Sequence, residues 1–319
     1  MKTFLKLFYF TLISVILFSC EDILEKDITN KTVNSTSPIE GSIVQSNVVN
    51  FQWDALEGAN KYRVQLYDNN QIIILDSLVS KTKFIFPLNS GNYKWKVRGE
   101  NLGYRSMFST LVSFSLMQSS NLATQQVILS SPSNSFYSNS NSINLSWQNI
   151  NAATSYNVEI VNVSNGSAVV FQQSGITNTF LNLTNSVFST DGEYLWKVKA
   201  INATSETPFG SRIFLIDRTS PNQPQLISPL NNSTQVNNQA LTFNWSIATD
   251  SGAIQSTLRY LVEFSNTNTF SNIVQSSNVN TNSLQQTFSA AGDYYWRVKT
   301  LDAAGNASGY SSIYKITIN

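Results

Sequence analysis

Apolar and polar residues alternate with a period of two along most of this chain. Val49-Asn50-Phe51-Gln52-Trp53, Ile143-Asn144-Leu145-Ser146-Trp147 and Leu241-Thr242-Phe243-Asn244-Trp245 each place every apolar residue on one face of a strand. A second strand follows in each case, with Tyr62/Val64/Leu66, Tyr156/Val158/Ile160 and Tyr260/Val262/Phe264 as its inward sets. A third opens on Gly-x-Tyr-x-Trp-Lys/Arg-Val. Its tyrosines are Tyr93, Tyr194 and Tyr294, 101 and 100 residues apart (93 to 194 to 294). A repeat at the size of a small domain means one unit copied in tandem.

Shorter apolar stretches fill in each copy. Strands are predicted over 72–75, 83–86 and 111–116, over 169–171, 179–183 and 212–216, and over 273–275, 284–288 and 314–318. About seven short strands per copy, separated by Asn, Ser and Gly, is the pattern of an antiparallel sandwich. No segment keeps a period of 3.6, so the fold class is all-β. All six tryptophans fall on the two strand motifs: Trp53, Trp95, Trp147, Trp196, Trp245 and Trp296. Strand alternation turns them inward, so they read as core with Tyr93, Tyr194 and Tyr294. Gly91, Gly192 and Gly292, just ahead of those tyrosines, read as tight turns needing positive φ.

A buried Trp on the second strand, a Tyr on the third and a Gly-x-Tyr entering the penultimate strand resemble fibronectin type III domains, within the wider immunoglobulin-like sandwiches. Residues 292–311, with the turn Ala304-Gly305-Asn306, carry the nearest match. The resemblance covers residues 38–319, with sandwiches at 38–118, 128–217 and 224–319. It implies a scaffold of spacer or recognition type, with each Gly-x-Tyr tyrosine bonded back to upstream backbone at a corner. Between the second and third copies, Pro221 and Pro224 favour an extended, stiff joint.

The N-terminus is of another kind. Lys2 and Lys6 precede an apolar core at 7–18, the proportions of a signal peptide over residues 1–19. It ends in Leu17-Phe18-Ser19-Cys20, similar to a bacterial lipobox, although Phe18 is bulkier than usual there. Cys20 is the single cysteine. The resemblance implies acylation of Cys20 and a stable lipid anchor, so the membrane is the first expected partner. The acidic stretch 21–27 resembles the surface-export signal of Bacteroidetes lipoproteins. Residues 20–37 read as acylated cysteine plus flexible tether. The implied location is the outer membrane, lipid-anchored, surface-exposed rather than periplasmic-facing.

Composition narrows the function classes. Charged residues make up 12% of the chain and the net charge is +1, which does not suit nucleic-acid binding. One cysteine permits no internal disulfide, so each sandwich depends on its own apolar core. The absence of histidine excludes His-dependent triads and His-ligated metal sites. No phosphate-binding or dinucleotide-binding glycine pattern occurs. Glycosidases need only two carboxylates, but five of the nineteen acidic residues (Glu21, Asp22, Glu25, Asp27 and Glu40) fall in or near the tether. The reading is therefore non-enzymatic, without cofactor and without metal.

Three weaker features remain. Lys61 and Arg63 on one strand of the first copy, with Lys94, Lys96 and Arg98 on its neighbour, form a basic row without an acidic partner on those strands. It is a candidate face for anionic lipid or acidic glycan, against a plain solvated face. Asp250-Ser251-Gly252, and Asp302 with Asn306, lie in loops of the third copy; one carboxylate per loop reads as an Asx-turn rather than a calcium site. Asp76-Ser77-Leu78 resembles a Bacteroidetes O-glycosylation acceptor at Ser77. The function expected is an anchored binding or spacer scaffold with protein or glycan ligands; the alternative is a carbohydrate-binding accessory of a polysaccharide-uptake system. Exposed aromatics such as Phe270 or Tyr310 would support the alternative.

Overall fold

The computed structural model describes residues 25–184 and 186–319. The signal segment 1–19, Cys20 and residues 21–24 lie outside them. Three β-sandwiches follow one another, each a three-stranded sheet facing a five-stranded one. The first sandwich forms one compact unit; the second and third together form another.

In the first sandwich the strands are β1 (Ser35–Ser37), β2 (Ser42–Gln45), β3 (Val48–Trp53), β4 (Lys61–Tyr67), β5 (Ile73–Val79), β6 (Lys83–Pro87), β7 (Gly91–Glu100) and β8 (Val112–Met117). The sheet orders are β1-β3-β6 and β2-β8-β7-β4-β5. The second is built from β9 (Leu129–Ser131), β10 (Phe136–Ser138), β11 (Ser142–Trp147), β12 (Ser155–Asn162), β13 (Ala168–Ile176), β14 (Phe180–Thr184), β15 (Gly192–Ile201) and β16 (Gly210–Ile216). The third runs through β17 (Leu226–Ser228), β18 (Ser233–Gln235), β19 (Ala240–Trp245), β20 (Arg259–Ser265), β21 (Ile273–Val279), β22 (Ser283–Thr287), β23 (Gly292–Leu301) and β24 (Tyr314–Ile318). The edge strands β5, β13 and β21 extend past the predicted ends at 75, 171 and 275. Their later halves are mixed, with polar residues such as Asp76, Gln172 and Ser276 exposed and Ile176 buried, and pairing with β4, β12 and β20 holds them.

Alternation does what period two requires. Tyr62, Val64 and Leu66 are buried, as are their counterparts in the other copies. In the first copy the two tryptophans meet across the sandwich, with the Trp53 and Trp95 ring centroids 6.4 Å apart. In the first, Phe51 lies edge-on to Trp95 with ring centroids 5.0 Å apart; in the third, Phe243 meets Trp296 at the same 5.0 Å. Large aromatic side chains bury about 150–250 Å² each and dominate such cores. The Tyr194 hydroxyl donates to the Thr190 carbonyl at 2.7 Å, and Tyr294 to the Ala290 carbonyl at 3.2 Å, closing the corner ahead of β15 and β23.

A second tyrosine bond recurs three times. The Leu56, Ile150 and Ala248 N–H groups donate to the hydroxyls of Tyr62, Tyr156 and Tyr260 at 3.0, 2.9 and 3.1 Å. Each satisfies a backbone donor in the loop after the first tryptophan, which would otherwise be left unpaired.

Two expectations change. Of the three glycines ahead of the tyrosine motif, Gly292 alone has positive φ, at 140°. Gly91 and Gly192 begin extended strands and are small for a packing reason: a Cβ at Gly91 would lie 3.2 Å from the Tyr93 hydroxyl, and one at Gly192 would lie 3.2 Å from Ser164. The tether is also shorter than residues 20–37. Ile28 is 0% exposed and Val33 is buried, and Thr32 bridges to Met107. Two isolated apolar residues in a polar stretch carry no periodic signal, yet they dock the segment onto the first sandwich.

Candidate functional site

The basic row of the first copy is compensated at its two arginines, which corrects the reading of an unpaired face for Arg63 and Arg98. Glu100, the last residue of β7, pairs with Arg98 at 2.7 Å and with Arg63 at 3.5 Å; Asp76 on the edge strand takes Arg63 at 3.1 Å. Among the described residues, Lys61, Lys94 and Lys96 have no carboxylate at ion-pair distance. Lys96 and Arg98 lie over the Phe108 ring, at 4.5 and 4.7 Å from its centroid. The same arrangement recurs with Lys197 and Lys199 over Phe209, and with Arg297 and Lys299 over Tyr310. Phe108, Phe209 and Tyr310 stand 101 residues apart (108 to 209 to 310), the spacing of the repeat itself. The row belongs to a repeated cation–π shelf, each contact contributing about 0.5–1 kcal/mol where exposed. The cross-strand pairs Glu159–Lys197 and Glu263–Arg297 close at 2.9 and 2.7 Å.

The aromatics of the third copy are committed to the fold. Phe270 is buried, and the Arg297 guanidinium lies between it and Tyr310, at 4.0 and 3.7 Å from the two centroids. Ser77 sits half-buried in mid β5, paired with the buried Val64, while Asp76 is held by Arg63 and Gln65. No helix of the described residues is long and apolar enough to cross a membrane.

A cluster that sequence reasoning divided among separate loops comes together where the second sandwich meets the third. Asp217 follows β16, Asp250 lies in the loop after β19, and Asp302 follows β23. Each offers a carboxylate oxygen, and these atoms lie within 4.8 Å of one another. Asp217 is 0% and Asp302 1% exposed. One oxygen of each carboxylate is held by backbone. Asp217 Oδ1 accepts from the Thr219 N–H at 3.0 Å, Asp250 Oδ2 from Ser256 N–H at 2.8 Å, and Asp302 Oδ1 from the Gly305 and Asn306 N–H groups at 2.7 Å each. Asp302 Oδ2 accepts from Asn306 Nδ2 at 2.7 Å. The remaining oxygens, Asp217 Oδ2 and Asp250 Oδ1, are buried and have no hydrogen-bond partner.

Among the described residues, no cation forms an ion pair with any of the three. The nearby Arg218 is turned away, onto Asp191 at 2.9 Å and the Phe188 carbonyl at 2.9 Å. Burial pushes the Asp217 carboxyl above its ordinary range. The Thr219 N–H opposes that, and Asp302, Asp250 and Asp191 add to it. The Asx-turn expected at Asp302 is present, but it is one part of a larger arrangement. Asp217 stands outside the loops of the third copy, as the residue that follows the last strand of the second sandwich.

The corresponding place in the other copies is filled differently. Asn101, Asn202 and Asp302 each stand six residues after the second tryptophan of their copy (95 and 101, 196 and 202, 296 and 302). The Asn101 amide donates to the carbonyls of Lys26 and Gly58, both at 2.8 Å. The Asn202 amide donates to the carbonyls of Ser120 and Ala152, at 2.9 and 3.0 Å. Lys26, Ser120 and Asp217 each precede the first strand of their sandwich by nine residues (26 and 35, 120 and 129, 217 and 226). Gly58, Ala152 and Asp250 each follow the first tryptophan by five (53 and 58, 147 and 152, 245 and 250). An amide bridging two carbonyls in the first two copies thus gives way to three carboxylates in the third.

Residues 226–318 match the family described as the Rha78A-like, N-terminal immunoglobulin domain. Among solved structures, the chain is similar to the FN1–FN3 domains of chicken CNTN1, at 13% identity over 90% of this chain and 97% of that one, with a TM-score of 0.47. It is also similar to fibronectin(III)-like modules of CbhA from Clostridium thermocellum, at 19% identity over 61% of this chain and 94% of that one, with a TM-score of 0.40. No curated protein matches the chain.

Proposed function

We propose that this chain is a non-enzymatic scaffold, a spacer or binding protein held at a bacterial outer membrane by a lipid on Cys20 and displayed at the cell surface. The observation that carries the scaffold reading is where the recurrent side chains go. The six tryptophans, the Tyr62, Tyr156 and Tyr260 hydroxyls and the cations Lys96, Lys197 and Arg297 are all engaged in holding the three sandwiches together. Fold alone does not give function, and a site for an outside partner has to lie in what differs between copies. Anchoring and surface display are read from residues 1–27.

The alternative, a carbohydrate-binding accessory of a polysaccharide-uptake system, loses its expected platform, since Phe270 is buried and Tyr310 is covered by Arg297. The test is an array of glycans and extracellular-matrix proteins probed with residues 21–319. Retention of a matrix protein indicates an adhesive role, retention of a glycan the accessory role, and a blank array the spacer role. Release of a cleaved product from any arrayed ligand would overturn the non-enzymatic reading.

A further inference from the structure

We propose that Asp217, Asp250 and Asp302 form a calcium site that joins the second and third sandwiches. The position is one that every copy has to close. In the first two copies an asparagine amide closes it, giving one hydrogen to the segment entering the sandwich and one to the loop after the first tryptophan. In the third copy the central residue is Asp302, which has no hydrogen to give, and both of its counterparts carry carboxylates. Three ionised carboxylates without a counter-charge repel one another strongly when buried. A cation at their centre supplies what the amide supplies elsewhere, a positive group shared between the entering segment and the loop.

The geometry suits a hard divalent ion of calcium's size. Oxygens bound to one calcium ion at about 2.3–2.6 Å can stand no more than about 5 Å apart, and the three carboxylate oxygens lie within 4.8 Å of one another. The two unpartnered oxygens, Asp217 Oδ2 and Asp250 Oδ1, belong to carboxylates whose other oxygens are already fixed by backbone N–H groups, so little rearrangement accompanies binding. Water completes the six to eight oxygens that calcium takes. The ion draws together the end of the second sandwich and two loops of the third. The Asn306 amide already ties these parts, donating to the Asp217 carbonyl at 2.9 Å and accepting from Asn139 Nδ2 at 3.1 Å.

The test is calorimetric titration of the full chain with calcium chloride, and with magnesium chloride as a comparison, beside thermal unfolding in calcium and in EDTA. The expected result is one calcium ion per chain, with a Kd at or below the about 10⁻⁴–10⁻³ M of extracellular calcium modules. Calcium at a hundred times that Kd should favour the folded state about a hundredfold, visible as a raised Tm. Asp302→Asn restores the amide of the other copies, and Asp217→Asn keeps the oxygen that accepts from Thr219. Both variants are expected to bind calcium at least tenfold more weakly, with a Tm in EDTA equal to or above that of the parent. Identical unfolding of the parent in calcium and EDTA, equal affinity for magnesium, or undiminished calcium binding by either variant would overturn the proposal. Should one variant fail to fold, the other gives the answer.

Discussion

Trp196→Ala is expected to unfold the middle sandwich under conditions in which the first stays folded. Trp196 has no exposed surface, and its β15 backbone is paired with Ile160 on β12 and Arg212 on β16. Leu145, Phe188, Val198 and Phe214 belong to the same buried cluster. The indole Nε1–H has no partner, so the side chain contributes through packing alone. Removing a buried tryptophan costs about 3–5 kcal/mol, a large part of the about 5–15 kcal/mol that holds a domain folded. The first sandwich is a separate compact unit with its own core, so it lies outside the reach of that loss. Hydrogen exchange read peptide by peptide checks this. Amides across 129–216 should lose protection in mild urea, while those across 35–116 should match the parent. Equal protection of both in the variant would mean that the tryptophan is not the keystone of its core.

Gly210→Ala should destabilise the same sandwich by about 1–3 kcal/mol, the usual cost of overfilling a packed site. Gly210 opens β16 opposite Val198, and a Cβ there would lie 2.6 Å from the Val127 carbonyl oxygen. That atom is backbone in a segment whose side chain is itself buried, so it has no flexible end to move aside. Gly103→Ala is the comparison. Its nearest neighbour would be the Glu25 Cβ at 3.6 Å, in ordinary contact, and its φ is not in the left-handed region. There the loss of chain freedom in the unfolded state should dominate, giving about 0.4–1 kcal/mol of stabilisation. Chemical denaturation of both variants separates the two effects. Equal stability of Gly210→Ala and the parent would contradict the close approach.

The strand cores were legible because burial on one face imposes a period of two, and Tyr62, Val64, Leu66 and their counterparts obey it. The repeat was legible for the same reason, three copies of one alternating pattern with tryptophan at fixed places. What the pattern did not show is held by polar bonds or by isolated residues. Ile28 and Val33 dock singly, and β5, β13 and β21 continue as paired edges through polar residues that break the apolar run. The arginines of the basic row read as unpaired because Glu100 stands at the end of its own strand, while Phe108 reaches the row from a loop. The carboxylate cluster was hidden by distance, since Asp217, Asp250 and Asp302 are read on three separate segments. Aligning the copies on their tryptophans would have shown it: Asn, Asn and Asp at one position, with carboxylates appearing at both of its partners in the third copy alone.

The central claim is a scaffold fixed to a membrane through Cys20, and mass spectrometry of the N-terminal peptide tests it most directly. The chain is produced in a bacterium with lipoprotein-processing enzymes, and the peptide is taken from its membrane fraction. The account predicts a chain that begins at Cys20, with a diacylglyceryl group on the sulfur, and that moves to the soluble fraction in Cys20→Ser. A free Cys20 thiol on a chain found in the soluble fraction would contradict it.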